Sequence, residues 1–452
     1  MSTENQNEIR PAEKSKEAGL KDHLNTLAKF GGFDLLGATI DGLQNLNPES
    51  KARRNIFLSE SQYAGERKQL ARKLQLWIDT LTSSDDLTQV IRSCEERSEA
   101  AERVYRKNLL TALEATAELE RNYRSVALFY KNTESDKLKN VNIMNASMEQ
   151  LSDLDAPMFI DHVEQELKDN YDRLDLRDNY GIMVIPGYMG SNKVVEKWAR
   201  LCHKNKVTLV TDFRHLDKAD DVISMFSNEN LSGGDAYKSN VVMTANWLVG
   251  RPKASEVGEE DHLYVPPSGA LAGKIYNTLM SQVTAGKKFG SLNEVDAVAF
   301  DMRKSDVAAM EKIGLVPMVN EYNKVMAFSA KTLFNGDNIG LQTYSVVRVF
   351  DYISKVLMDF LNRRAFENFN TKTQNELRAQ IVTFLNGVCG PGKLIEKFKI
   401  LRFERDPLQK DRIYLDIHMT PFFPAKNYVF KLDGQKGDDP DSAEWKSEYG
   451  GA

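Results

Sequence analysis

The sequence predicts an α/β (α+β) protein that combines a mixed sheet with a helical hairpin and with separate C-terminal strands. Three observations predict this class. Residues 50–132 contain no proline and a single glycine, Gly65, which favours long helices. Between about 140 and 390, short apolar runs alternate with helical segments. Beyond residue 391 the hydrophobic period changes to two, which is typical of strands.

Composition narrows the functional classes. The 452 residues can bury a large core and suggest two to three structural units. The formal net charge of -5 is spread along the chain, so no surface for gripping nucleic acid is expected. The N-terminal residues are polar and no run of about 18 apolar residues occurs, so we expect a cytoplasmic protein without membrane insertion. Three widely spaced cysteines make a disulfide framework improbable.

Residues 1–49 are predicted to form a flexible arm that carries one amphipathic helix. Its apolar residues recur at helical spacing until Gly31-Gly32 interrupts the pattern. They are Leu20, Leu24, Leu27 and Phe30. The helix is either an ordinary surface helix packed on the domain or a docking peptide for another protein.

Residues 50–135 are predicted to form a helical hairpin. One apolar stripe runs from Leu70 to Leu81, and the turn at residues 82–86 offers capping side chains. A second stripe follows beyond the turn. Its members are Leu87, Ile91, Cys94, Ala101, Tyr105, Leu109, Leu113 and Leu119.

Residues 136–390 are predicted to form the α/β core. The apolar runs predict strands at 180–185, 206–211, 240–244, 296–300 and 325–329. The clearest helix spans residues 344–369, where a broad apolar stripe indicates burial on much of the circumference.

Residues 391–452 are predicted to contain strands and an acidic tail. Phe398 and Ile400 alternate with lysines, and Ile413, Leu415 and Ile417 alternate with polar residues after a turn. A third strand is predicted around Phe430. Because an isolated hairpin is marginal in water and exposes two edges, a further strand from this chain or another must pair with it.

The segment at residues 180–198 raises the possibility of a phosphate site. A strand, a turn with Gly187 and Gly190, and a helix follow one another, and Asp212 ends the next strand, where a ribose-binding acid would lie. The third glycine of the dinucleotide fingerprint is missing, and so is a Gly-Lys-Ser/Thr motif. An α/β nucleotide-binding enzyme around Gly187 and Gly190 therefore remains only an alternative.

Other catalytic patterns are weaker. The six histidines never fall three or four residues apart, so no helix presents a paired-imidazole metal site. Ser268 lies in a proline loop without the glycine-flanked elbow of a hydrolase serine. We therefore predict no catalytic, metal-binding or cofactor-binding residue.

Residues 314–333, the long helix after them, the segment NELRAQIVTFLNGVC and the last strands together resemble the large subunit of the contractile sheath of bacterial type VI secretion systems. The residues that fill comparable places are Gly314, Pro317, Arg348, Leu385 and Asn386. The usual His-Tyr pair of the long helix is Asp351-Tyr352 here, and Thr420–Pro424 replaces an Arg-Pro-His run. The chain looks like a divergent, Bacteroidota-like branch.

The resemblance implies a structural protein without enzymatic activity or cofactor. Members pair with a small sheath subunit, stack as hexameric rings around an inner tube protein above a baseplate, and contract to drive the tube into a target cell. An AAA+ ATPase then disassembles the sheath, and the resemblance implies that it docks on the helix with Leu20, Leu24, Leu27 and Phe30. A sheath of a phage-tail-like contractile particle is the alternative within this class.

The resemblance also assigns a role to the C-terminal strands. They are expected to form the centre of an inter-subunit sheet that strands of neighbouring subunits complete through main-chain hydrogen bonds. The candidate residues are Phe398, Ile400, Phe403, Ile413, Leu415 and Ile417.

Overall fold

A computed structural model describes residues 37–47, 50–133, 138, 140–176, 179–426, 428–434 and 445–450. The chain divides into two compact units, Met1–Thr111 and Ala112–Ala452.

The described helices and strands follow the alternating order expected of an α/β protein. The helices are α1 (Lys51–Ser59), α2 (Ala64–Leu81), α3 (Leu87–Lys131), α4 (Met148–Ser152), α5 (Met158–Tyr171), α6 (Asn192–Lys204), α7 (Ala219–Glu229), α8 (Ser268–Asn277), α9 (Gly286–Phe289), α10 (Lys304–Ile313), α11 (Ile339–Gln342), α12 (Tyr344–Arg363) and α13 (Thr371–Val388). The strands are β1 (Ile182–Ile185), β2 (Thr208–Asp212), β3 (Val241–Ala245), β4 (Leu248–Arg251), β5 (Leu263–Val265), β6 (Leu315–Glu321), β7 (Lys324–Ala327), β8 (Ile395–Arg405), β9 (Ile413–Pro421), β10 (Val429–Gly434) and β11 (Trp445–Gly450).

The N-terminal unit has a small core centred on α2. Leu70 and Leu74 of α2 pack with Phe57 of α1 and with leucines of the preceding 3-10 turn. The second apolar stripe, on α3, is less buried than the first: Leu87 and Tyr105 are each more than half exposed. Ion pairs four residues apart support this part of α3 in place of a core, as between Arg106 and Glu102.

The core of the C-terminal unit is a five-stranded sheet in the order β1-β2-β3-β6-β7. The first four strands are parallel and β7 pairs antiparallel with β6. Successive residues point to opposite faces, so Leu209 packs in one apolar cluster and Val210 in the other. Every residue of β2 and β3 is buried, as expected for a parallel sheet covered on both sides. The predicted α/β class is confirmed.

Four of the five predicted core strands lie within two residues of their expected positions. The strand at 296–300 is wrong: this segment makes only a single bridge, between Val298 and Leu248. Strand β6 is not among the predicted strands, and it contains Pro317, a residue type that is uncommon inside paired strands. Pro317 is tolerated because it pairs only with Ala245 at the end of β3, while the β7 pairing starts at Met318.

Helix α12 is buried along its first half, as its stripe predicted. It ends at Arg363 rather than residue 369, because Phe366 has a positive φ of 68° and Asn370 caps the next helix by accepting from the Thr373 N–H. Lys355 of α12 is buried and donates through Nζ to the carbonyl oxygen of Tyr180 at 2.8 Å. Burial lowers the pKa of Lys355 to about 8.

The backbone of helix α8 lies in close contact with the backbone at the C-terminal end of α3. A Cβ atom placed on Gly273 would lie 2.3 Å from the carbonyl oxygen of Phe129, and one placed on Gly269 would lie 2.6 Å from that of Ser125. Both distances are below any normal contact, so glycine is required at both positions of α8.

Candidate functional site

The C-terminal strands β8 and β9 form a long antiparallel ribbon. Its turn is held by the Asp406 carboxylate, which accepts from the Tyr414 hydroxyl at 2.7 Å and from the Leu408 N–H at 2.8 Å. These hydrogen bonds, that of Tyr414 foremost, lower the pKa of Asp406. The turn therefore fixes the register of the two strands.

One face of the ribbon packs on α12 and α13. Phe398 and Ile400 contact the cluster that includes Ile353 and Leu385. Strict alternation from Phe398 and Ile400 would place Phe403 on the opposite face. It lies on the same face because an irregularity between Ile400 and Arg402 shifts the register by one residue.

The candidate residues of β9 divide between two environments. Leu415 and Ile417 pack against the same cluster as Phe398. Ile413, at the turn end of the ribbon, is 40% exposed. Period two predicts a strand here but does not distinguish these two environments.

The opposite face of the ribbon is polar. Lys399 and His418 lie directly opposite each other and both are exposed. Arg402 stacks over the ring of Tyr414, with its guanidinium carbon 3.9 Å from the ring centroid. Leu401, which is 61% exposed, is the exposed large apolar side chain that β8 adds to these polar residues.

The two long edges of the ribbon have no neighbouring strand in the described part of the chain. Within the described residues, β8 and β9 form a sheet of two strands, and a bridge links Ile395 to Cys389 at one end. Two carbonyl oxygens of β8 also accept from side chains, that of Glu396 from the Cys389 thiol and that of Phe403 from the Gln374 amide. Strands of 11 and nine residues therefore present main-chain donors and acceptors along two edges.

A second polar cluster lies at the carboxyl ends of the parallel strands, where the residues considered for an enzyme meet. The Asp212 carboxylate, at the end of β2, accepts from the Gly187 N–H at 2.8 Å. It also accepts from the N–H and the hydroxyl of Ser268, at 2.8 and 2.5 Å, and from the Thr244 hydroxyl. Ser268 begins α8 and does not lie in the loop expected from its prolines.

This cluster is closed to ligands. The side chains of Asp212 and Ser268 are fully buried, and protein donors occupy both oxygens of the carboxylate. Burial raises the pKa of Asp212 to about 6 and outweighs the opposing hydrogen bonds. Asp212 ties the β1 turn, β2, β3 and α8 together, so its geometry is that of a structural joint. Sequence spacing could not reveal it, because the partners lie 25 to 56 residues away.

Leu20, Leu24, Leu27 and Phe30 lie outside the described residues. Among the residues that the structure does describe, no three His, Cys, Asp or Glu side chains form a group able to hold a metal ion. No helix in that same part of the chain is long and apolar enough to cross a membrane.

Solved structures with a similar arrangement belong to contractile particles. A baseplate chain of the anti-feeding prophage is 14% identical, with a TM-score of 0.47 over 70% of this chain and 80% of that chain. A contracted helical sheath chain of the same prophage is 16% identical, with a TM-score of 0.47 over 70% and 81%. A contracted sheath chain of the PVC extracellular contractile injection system is 14% identical, with a TM-score of 0.43 over 61% and 75%. No curated protein matches the chain.

Three family models match successive parts of the chain. The N-terminal region of TssC/VipB-like proteins matches residues 20–109, and the central domain of type VI secretion system TssC/VipB matches residues 111–335. The C-terminal domain of TssC/VipB-like proteins matches residues 343–451. Because the three matches run in order over nearly the whole chain, the chain belongs to the TssC/VipB family, the large subunits of the contractile sheath of type VI secretion systems.

Proposed function

We propose that this sheath subunit is linked to its neighbours through the free edges of the β8–β9 ribbon. The observation that carries the proposal is a ribbon whose apolar face is covered by α12 and α13 while both long edges lack a strand partner in the described part of the chain. Strand addition at such an edge uses main-chain hydrogen bonds, so it tolerates rotation of the linked bodies better than interlocked side chains do.

The partners follow from the family. A small sheath subunit supplies the added strands, and the resulting polymer surrounds an inner tube in the cytoplasm, stacked as hexameric rings on a baseplate. An AAA+ ATPase recycles the contracted sheath by gripping the arm at Leu20, Leu24, Leu27 and Phe30. The organisation into an arm (1–49), helical hairpin (50–135), sheath core (136–390) and C-terminal strands with tail (391–452) is part of the same proposal.

The role is mechanical and not enzymatic. The closed Asp212 cluster supports this, because Gly187, Asp212 and Ser268 satisfy one another and leave no carboxylate oxygen for a substrate.

Removal of residues 396–420 tests the ribbon. We expect that the variant, co-expressed with the small subunit, forms no sheath while the inner tube still assembles. The matched control is Lys399→Ser combined with His418→Ser, which changes exposed side chains and leaves the main chain in place. It should form sheath at the level of the unmodified chain in negative-stain electron microscopy. Sheath formed by the deletion variant would refute the role of the ribbon.

The arm has its own test. Replacing Leu24 and Leu27 with Asp should leave contraction intact and slow the disassembly of contracted sheath by the ATPase. Unchanged disassembly kinetics would contradict docking at this helix.

A further inference from the structure

Phe366 combines two features that are unfavourable in the isolated chain. Its ring is fully exposed, and its backbone has a φ of 68°. The left-handed region is disfavoured for bulky L-residues because Cβ approaches the carbonyl oxygen, and asparagine or glycine would fit better there. Strained conformations persist mainly at functional positions. Phe366 is more exposed than Tyr322, the aromatic residue with a similar φ in the β6–β7 turn, and a contact outside the chain would cover its ring.

A cleft elsewhere on the C-terminal unit has the size of one aromatic ring. Its volume is about 200 Å³. A cavity of about 150 Å³ is enough to hold benzene. The cleft opens to solvent past Leu279 and Phe423, which are each about half exposed. The lining also includes Val283, Phe422 and Pro424, with Ser281, Gln282 and Lys393 as polar neighbours.

Phe366 and the cleft lie at opposite ends of the β8–β9 ribbon. Near Phe366, the ring of Phe369 packs on Phe403, and the Arg405 guanidinium donates to the Phe369 carbonyl oxygen at 2.6 Å. At the cleft, the Ser281 hydroxyl donates to the carbonyl oxygen of Lys393, two residues before β8 begins. About ten strand residues separate the two ends, which is roughly 30 Å. Phe366 therefore cannot enter the cleft of its own chain.

We propose that Phe366 of one copy inserts into the cleft between Leu279 and Phe423 of a second copy in the sheath. A projection at one end of an element that fits a cleft at the other end makes a head-to-tail contact, and such contacts build rings where the rotation closes and open helical polymers where it does not. A buried aromatic anchor in a desolvated pocket is also the usual energetic centre of an interface. The inference rests on the proposed function, because it places one contact between copies inside the sheath.

Phe366→Asn is the first test. Asparagine tolerates a positive φ, so the thermal midpoint of the purified complex with the small subunit should stay level or rise. Sheath yield should fall about tenfold or more, as for loss of an interface anchor. The matched control is Tyr322→Asn, which also replaces an exposed aromatic residue with a positive φ, in the β6–β7 turn. It should keep full yield. Full yield from Phe366→Asn, or an equal loss in both variants, would overturn the proposal.

Cross-linking tests the two surfaces directly. Copies carrying Phe366→Cys are mixed with copies carrying Leu279→Cys, all with Cys94→Ser because Cys94 is exposed. After sheath assembly and oxidation with copper phenanthroline, we expect disulfide-linked dimers in the mixture and none in either population alone. Assembled sheath without dimers in the mixture would overturn the inference alone. An unmodified chain that forms no sheath with its small subunit would overturn the proposed function and this inference together.

Discussion

Replacing Gly273 with alanine should destabilise the C-terminal unit although alanine is the better helix former. The new Cβ would lie 2.3 Å from the carbonyl oxygen of Phe129 and 3.2 Å from the Cβ of Asn132. Both neighbours are restrained. The Phe129 carbonyl oxygen accepts from the Asn132 N–H, and the Asn132 side chain donates to the Leu128 carbonyl oxygen and accepts from the Asn293 N–H. The helices must therefore separate.

The magnitude follows from two opposing terms. Overpacking a close contact costs about 1–3 kcal/mol, and a backbone obstacle favours the upper part of that range. Alanine returns about 1 kcal/mol of helix propensity. We expect Gly273→Ala to lower the free energy of unfolding by about 2 kcal/mol and the thermal midpoint by roughly 4 °C or more.

Gly387→Ala is the matched control. Gly387 also lies in a helix, α13, but a Cβ there meets no atom within 4 Å. That variant should gain about 0.5–1 kcal/mol. Both can be measured by urea and thermal unfolding followed by near-UV circular dichroism. A Gly273→Ala variant as stable as Gly387→Ala would refute the account of the α3–α8 contact.

Two further predictions concern buried charges. Because burial raises the pKa of Asp212 to about 6, the folded state holds this proton more tightly than the unfolded state, so unfolding free energy should fall by up to about 3 kcal/mol as pH rises from 4 to 6. Urea unfolding should show this loss in the unmodified chain and lack it in Asp212→Asn; equal pH slopes would contradict it. Because burial lowers the pKa of Lys355 to about 8, stability should increase as pH rises from about 8 towards 10.5, again by up to about 3 kcal/mol. Lys355→Met should abolish that increase in the same assay, and a rise that survives the substitution would show that other groups cause it.

Much of the α/β core could be predicted because its strands are short apolar runs between helices. Parallel strands buried on both faces read as continuous apolar segments, as in Val241–Ala245. Strands are harder to predict where the local pattern and the pairing in the fold disagree. Residues 296–300 have the composition of a strand but form only one bridge. Strand β6 contains Pro317, and it nevertheless pairs with β3 on one side and with β7 on the other.

The candidate site was predictable in position but not in detail. Period two located β8 and β9, yet it could not show the irregularity after Ile400 that brings Phe403 onto the covered face. The exposure of Ile413 is likewise a tertiary property, because the alternation of residues along a strand does not show which of them other elements cover. Similarly, Gly187, Asp212 and Ser268 each resembled part of a catalytic motif, and only the fold shows that they satisfy one another.

The Asp212 cluster and the β8–β9 ribbon differ in how far their hydrogen bonds depend on particular side chains. Asp212 joins three strands and a helix through hydrogen bonds that bury every polar atom involved, so any relative movement of these elements would leave a buried carboxylate unpaired, at a cost of several kcal/mol. The β8–β9 edges instead present a repeating main-chain pattern whose pairing depends little on side chains. A contractile sheath subunit must move as a body while it stays attached. If the proposed function holds, the specific polar contacts lie inside the core and the least specific ones lie at the ribbon edges that we propose join neighbouring subunits.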